Sequence, residues 1–310
     1  MTSLSASSQV FLADVERIQQ TVTEASRQVS SGKKFQRSSQ APDEVGPVLQ
    51  IRAERRRLAQ IQENLTLAKS DAATADGALA QAVKLMDRAR TLAAQGANST
   101  LGLESRQSLA NEVASLQEEM VDLSRTAVQG RYIFGGDADL AAPYSLDLTS
   151  ADPASENGVV QHSTANATRE IQDPSGGSFR ASLSAAEIFD TRKIDGSAAD
   201  DNVFASLNNL RLALISGDET AVGDSVAAIR AASTRLNSAE AFYGNVEKKI
   251  ANAETAARQT DTRLATALST REDADTVAAA LTLTQSGHQL QAALEMRASL
   301  PQKTLFDYLG

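Results

Sequence analysis

Between Ile51 and Ala93, apolar residues return every seven positions: Ile51, Leu58, Leu65, Ala72, Leu79, Met86 and Ala93. A second row, Ile61, Ala68, Ala75, Ala82 and Ala89, occupies the other seam position of the same repeat. Two rows in register over about six heptads specify a coiled coil, because a 3.5-residue period keeps both rows against a partner helix. At about 1.5 Å per residue such a helix is roughly 70 Å long, too long for one compact globule. The alanine row requires a partner whose axis comes close. A second long helix carries Ile229, Leu236, Tyr243, Ile250, Ala257 and Leu264, again seven apart. The chain is 42% apolar but only 4% aromatic, which suits helices packed around narrow seams.

The remaining segments arrange themselves around this rod. Near the start, Phe11, Val15, Ile18, Val22, Ala25 and Val29 step by four and three along an otherwise polar helix. Near the end, Ala280, Leu283, Gly287, Leu290 and Leu294 make a similar seam, closed by Pro301 and followed by an apolar tail, Leu305–Leu309. A helix with one thin stripe is marginal in water by itself. The two ends are therefore expected to pair, to be disordered in the monomer, and to order when copies stack around them. Gly32 to Pro47 reads as a loop and Gly96 to Gly102 as a turn. Leu109, Val113, Leu116, Met120, Leu123 and Ala127 give a third helix, expected to stop at Gly130.

Gly130, Arg131, Tyr132, Ile133, Phe134, Gly135 and Gly136 then form a glycine-framed hinge, with Tyr132 and Phe134 as packing anchors. Beyond it, short β-compatible runs lie at Tyr144–Thr149, Gly158–Thr164, Arg169–Gln172 and Ser178–Leu183. Ser184 and Glu187 have capping-box spacing, as do Ser269 and Glu272, the latter placing a joint just before Asp273. Gly217 and Asp218 mark a turn and an N-cap. The fold class is mainly α: a long antiparallel coiled-coil rod built from the N- and C-terminal segments, with a small β-rich domain inserted in the middle and projecting at its tip. The expected divisions are 1–40 with 272–310, 41–136 with 203–271, and 137–202.

Chemistry finds little foothold. Net charge is −9, which offers nucleic acid no electrostatic footprint, and no apolar run is long enough to span a bilayer. The absence of cysteine removes thiolate metal sites and thiol nucleophiles. His162 and His288 have no Ser, Asp or metal-ligand neighbour at useful spacing and read as solvated. Ser31-Gly32-Lys33 lacks the upstream glycine and preceding strand of a phosphate loop. Asp195, Asp200 and Asp201 lack the alternation of a calcium loop. Arg52, Arg55, Arg56 and Arg57 form a basic cluster, either a solvated face or a docking patch for an acidic neighbour. Sequons at Asn64, Asn98 and Asn166 decide nothing. No catalytic, cofactor or metal residues are expected. The N-terminus has no cationic region leading into an apolar core, so no cleavable signal peptide is expected.

Two stretches carry a family resemblance: Val29-Ser-Ser-Gly32-Lys33 with the following Ser39-Gln-Ala-Pro42-Asp43, and Leu268-Ser269 through Asp273-Ala-Asp275 to Leu290-Gln-Ala-Ala-Leu294 and the terminal Leu-Phe-Asp-Tyr-Leu. Both resemble the bacterial flagellin superfamily. Within it, Gly130-Arg-Tyr-Ile-Phe-Gly-Gly136 and Thr100-Leu101 through Ser105-Arg106 to Leu109-Ala110 are similar to the hook-filament junction proteins. The opening Met1-Thr-Ser-Leu4 and Gln40-Ala41 depart from the family's pattern.

The resemblance implies an extracellular structural subunit of the flagellum, exported through the flagellar channel. Its partners would be copies of itself in a ring or tube, a neighbouring hook-associated junction protein, flagellin and a cytoplasmic export chaperone. Phe11, Val15, Ile18, Val22 and Val29, with Leu283, Leu290 and Leu294, would be its assembly seams. A short flagellin forming the filament itself, or a non-flagellar coiled-coil adaptor or secretion-tip protein, are the alternatives.

Overall fold

A computed structural model describes residues 2–98, 101–149 and 157–299, so Met1, Pro301 and the tail Leu305–Leu309 lie outside the described residues. Seven helices are described: α1 Thr2–Ser31, α2 Pro42–Gly96, α3 Leu103–Ser124, α4 Ala185–Phe189, α5 Val203–Ser216, α6 Glu219–Glu272 and α7 Thr276–Ser299. Six short strands accompany them: β1 Ala127–Val128, β2 Arg131–Tyr132, β3 Tyr144–Leu146, β4 Val159–Gln161, β5 Glu170–Gln172 and β6 Ser178–Arg180. The chain forms two compact units, one of Leu58–Gln259 and one of Met1–Arg57 with Thr260–Gly310.

In the central unit the heptad rows are the core. Leu58, Leu65, Ala72, Leu79, Met86 and Ala93 are all buried, and so are Ile61, Ala68, Ala75, Ala82 and Ala89. Ile229, Leu236, Tyr243, Ile250 and Ala257 answer them from α6, with Ala232, Ala239 and Ala253 as a second small-residue row. Small side chains in both rows let the helix axes approach, as ridge-and-groove packing requires. α3 packs along α5, Val113, Leu116 and Met120 facing inward. The pair is antiparallel: Arg106, near the start of α3, donates to the Gly217 carbonyl at the end of α5 (2.7 Å). Gly217, at φ +73°, supplies the left-handed C-cap of α5. Asp218 caps α6, accepting from the Thr220 and Ala221 amides.

The hairpin β1–β2 leads into the inserted segment, which holds two more antiparallel hairpins, β3–β4 and β5–β6, plus the one-turn α4. Ser184 and Glu187 form the expected capping box on α4. The segment does not project with a core of its own. Phe134, Tyr144, Val159, Ile171, Ile188 and Phe189 join the same buried cluster as the helices. The reason is supply: so few large apolar residues cannot enclose a separate core, and they find one by lying on the helices.

Three boundaries differ from the sequence reading. α2 begins at Pro42, so Pro47 sits inside it rather than in a loop. Proline at the first helical position costs no hydrogen bond, and Asp43 and Glu44 favour the helix's positive end; this start carries the helix past Pro47. α3 stops at Ser124, not Gly130, because the chain turns back on itself at Gln129-Gly130 (φ +52° and +80°). Ala127 pairs with Tyr132 and Val128 with Arg131 across that turn, so Ala127 is an exposed strand residue. Positive φ at both central residues is the hairpin turn whose twist matches its strands. The joint falls just before Asp273 as expected, but Ser269 opens no helix, since α6 continues to Glu272; the cap of α7 is Asp275, which accepts from the Val277 and Ala278 amides.

Candidate functional site

Two places combine unusual geometry with the residues singled out by sequence: the paired termini, and the glycine-framed segment after α3. In the terminal unit α1 and α7 run antiparallel, with Arg297 over the Phe11 ring (5.0 Å) at one end and the Lys33–Asp273 bridge at the other. Phe11, Val15, Ile18 and Val22 face the pair but are only half-buried; Ala25 is buried, and Val29 is exposed. On α7, Ala279 and Ser286 are buried and Leu283, Leu290 and Ala293 half-buried. Leu294 is exposed, as are Val277, Leu281 and Met296. The buried row of α7 is thus one residue out of step with the sequence reading at Ala280, Gly287 and Leu294. That helix carries apolar residues on both sides, so periodicity assigns it no single phase. Val10 and Leu12 likewise point away from the α1 seam.

The joint of this unit is ionic. The Glu272 side chain is 4% exposed and sits between Lys33 Nζ (3.1 Å) and Arg52 Nη2 (2.7 Å). The Arg52 contact is an ion pair poorly aligned as a hydrogen bond, leaving Oε1 of Glu272 without a true donor. Lys33 also reaches Asp273 (2.8 Å). Those bonds raise the Lys33 ammonium, Asp273 contributing most, and hold the Asp273 carboxyl below the usual aspartate range, Lys33 contributing most. Backbone bonds from Lys34 N to Glu272 O (2.7 Å) and Ala274 N to Gly32 O (2.9 Å) lock the two crossing segments together. Arg55–Asp261 and Arg271–Glu44 span α2 and α6 in the same unit. So Arg52 and Arg55, read from sequence as part of a basic cluster, are engaged inside the unit.

At the glycine-framed segment, Phe134 is 1% exposed and lies edge-on to Phe189 (5.7 Å) and Tyr243 (6.2 Å). Phe189 stacks on Phe204 (5.8 Å), which meets Tyr144 (5.1 Å). This row of rings ties the strands, α4, α5 and α6 into one core. Burial pushes the Tyr243 phenol up to about 12, and its oxygen accepts from the Leu183 amide (3.1 Å). Ile133 and Tyr132 are half-buried, and Arg131 is exposed and paired with Asp139. Gly135 and Gly136 are there for backbone approach: a Cβ would stand 2.7 Å from Asp139 Cα at the first and 2.5 Å from Ala167 O at the second, where φ is +60°. Gly130 has open space and serves only its turn.

Below the rings, Asp190 is buried and accepts from Asn157 (2.5 Å), Asn202 (2.8 Å), Tyr144 (3.3 Å) and Arg192 (3.0 Å). A buried carboxylate so fully bonded is a structural node. Sequence order concealed it, because Tyr144, Asn157 and Asn202 reach it from three other segments. Burial, then the Asp190 charge, push the Tyr144 hydroxyl upward. His162, read as having no serine neighbour, does have one across the β3–β4 hairpin: Ser145 Oγ lies 2.7 Å from Nε2. The pair is exposed and bridges the two strands of that hairpin. No group of three or more potential metal ligands occurs among the described residues, and no described helix is long and apolar enough to cross a membrane.

This architecture of long paired helices carrying short strand pairs has counterparts among known proteins. Residues 3–139 match the family model described as the bacterial flagellin N-terminal helical region. The chain is similar, more particularly, to flagellar hook-associated protein 3 of Escherichia coli (strain K12), at 26% identity over 211 residues. That match covers 68% of this chain but only 64% of the relative, just under two thirds of its length. Solved structures share the fold. A flagellar hook-associated protein from Vibrio parahaemolyticus superposes with a TM-score of 0.62 at 17% identity, covering 75% of this chain and 99% of that one. Hook associated protein-3 from Legionella pneumophila gives 0.61 at 15% identity, covering 72% and 98%.

Proposed function

We propose that this chain is a non-enzymatic structural subunit of the bacterial flagellum that joins the hook region to the flagellin filament and assembles through its terminal helices. The observation that carries the reading is the state of α1 and α7. They share a seam that is mostly half-buried, while Val10, Leu12, Val277, Leu281, Leu294 and Met296 face outward. A two-helix pair with apolar residues on its outer faces is incomplete as a monomer and is completed by neighbours. The likeness to hook-associated protein 3 supplies the setting.

In this reading the segments 1–40 and 272–310 form the assembling pair, 41–136 with 203–271 the helical support, and 137–202 the inserted part. Phe11, Val15, Ile18, Val22 and Val29, with Leu283, Leu290 and Leu294, contribute to contacts within or between copies, and 130–136 fastens the insert. The partners are other copies of the chain, an adjoining hook-associated protein and flagellin, with an export chaperone before assembly. Nucleic acid and membrane play no part. The site of action is outside the cell, reached through the flagellar channel.

Deletion of the gene tests this directly. The expected strain builds hooks, sheds flagellin into the medium and does not swim, and a plasmid copy restores filaments. A deletion strain that swims normally would sink the proposal. Purified protein that polymerises alone into long filaments would replace it with the flagellin reading.

A further inference from the structure

The turn between Arg192 and Ala198 carries the most exposed large apolar side chain among the described residues, Ile194 at 109%. One exposed isoleucine is ordinary in itself. This one, however, stands on a pinned tip. Lys193 N donates to Ser197 O (2.8 Å), Gly196 N to Lys193 O (3.0 Å), and the Asp195 carboxylate accepts from Ser197 N (3.0 Å) and Oγ (2.6 Å). Lys193 is held by Asp200 (2.8 Å), so the tip has little freedom left to lose on docking. The net charge of the tip is acidic, since Lys193 pairs with Asp200 and leaves Asp195 as a second carboxylate beside it.

The terminal unit offers a cavity of complementary character, about 300 Å³ in volume. Phe35, Val45, Val48 and Leu49 wall it, and Leu49 is 54% exposed. Lys33, Gln36, Arg37, Arg52 and the buried Glu272 complete its lining. Lys33 and Arg52 are engaged by Glu272, but Arg37 at the rim and Arg56, one helical turn beyond Arg52, have no carboxylate partner among the described residues. An apolar hole with spare cations is out of character for a chain of net charge −9. Its size suits one or two side chains, not the length of a helix.

We propose that Ile194 of one copy seats in the Phe35–Leu49 cavity of a second copy, with Asp195 facing Arg37 and Arg56. Knob and hole are different surfaces, so used head to tail the contact repeats from copy to copy, as a ring or helix needs. It is far smaller than the roughly 1,000 Å² that sustains an interface alone. It therefore acts as an added point of attachment among copies already held together through their termini. It rests on the assembly role proposed above and names one contact within it.

The chain contains no cysteine, so two introduced thiols report only on each other. Full-length Ile194→Cys and Leu49→Cys chains are co-expressed in the deletion strain, and isolated flagella are oxidised mildly. The expected result is a disulfide-linked dimer that neither single variant yields. Adding Arg37→Glu and Arg56→Glu should abolish it, and Asp195→Arg on the other copy should restore it. Swimming cells whose flagella give no such dimer would overturn the contact and leave the assembly role intact. A disulfide formed within one chain carrying both thiols would also overturn it. Failure of the cysteine-free parent to restore filaments would instead defeat the assembly role, and this contact with it.

Discussion

Replacing Phe134 with alanine measures how firmly the insert is fastened. The ring is almost wholly buried and its nearest aromatic neighbours, Phe189 and Tyr243, come from α4 and α6. Buried Phe→Ala substitutions cost about 3–5 kcal/mol, because the transfer term is joined by a cavity the neighbours only partly fill. About 0.5–1.5 kcal/mol of that belongs to each edge-on ring pair. The Phe134 carbonyl would keep its bond from Ala185 N (2.8 Å), so the backbone path survives and the loss is one of packing. For a unit the size of Leu58–Gln259, each kcal/mol moves the midpoint by about 2–4 °C, giving a fall of about 6–20 °C. Thermal unfolding by circular dichroism reads this, and limited proteolysis near Asp137 reads where the structure opens. A midpoint within about 2 °C of the parent, with unchanged cleavage near Asp137, would refute the ring cluster as the fastening.

Other perturbations reach the terminal unit. Val22→Asp or Leu290→Asp places a charge in the α1–α7 seam; filament attachment should be lost while the melting of the central unit stays unchanged, and normal motility in either strain would contradict this. Glu272→Gln removes the anion between Lys33 and Arg52, whose side chains are 41% and 53% exposed and can rehydrate. The cost is accordingly about 1 kcal/mol rather than the larger value of a sealed pair, seen as faster tryptic cleavage at Lys33, Lys34 and Arg37. Acid should act at the same joint. Because the folded Asp273 pKa is depressed, its contribution is present at neutral pH and is lost only as pH falls through that depressed value. Faster amide exchange at Lys34 and Ala274 on acidification below the ordinary aspartate range, after correction for intrinsic rates, is the expected signature.

The long helices were legible because two independent rows repeat together; Leu65, Leu79 and Met86 could hardly serve any other arrangement, and all are buried. The terminus of α3 was not, since Leu109 to Ala127 keeps stepping by four and three past the point where the helix stops. What stops it is the local hairpin at Gln129-Gly130, closed by the bond from Ile133 N to Thr126 O (3.0 Å), which folds the chain back. The seam on α7 was half legible. Leu283 and Leu290 face α1, but nothing in the local pattern selects Ala293 over Leu294. The Asp190 node and the Ser145–His162 pair were invisible because they unite residues whose proximity exists only after the hairpins form.

The sharing of one row of rings by strands and helices sets limits on how this chain can be rebuilt. The inserted segment is no cassette: excising it would strip Phe134 and Phe204 of packing partners and bare the helices beneath. Cargo such as an epitope belongs on a turn that contributes nothing to the rings. The bend at Ser175-Gly176-Gly177 is one, closed by its own Asp173–Gly177 backbone bond (2.8 Å), and at both of its glycines an added Cβ would meet open space.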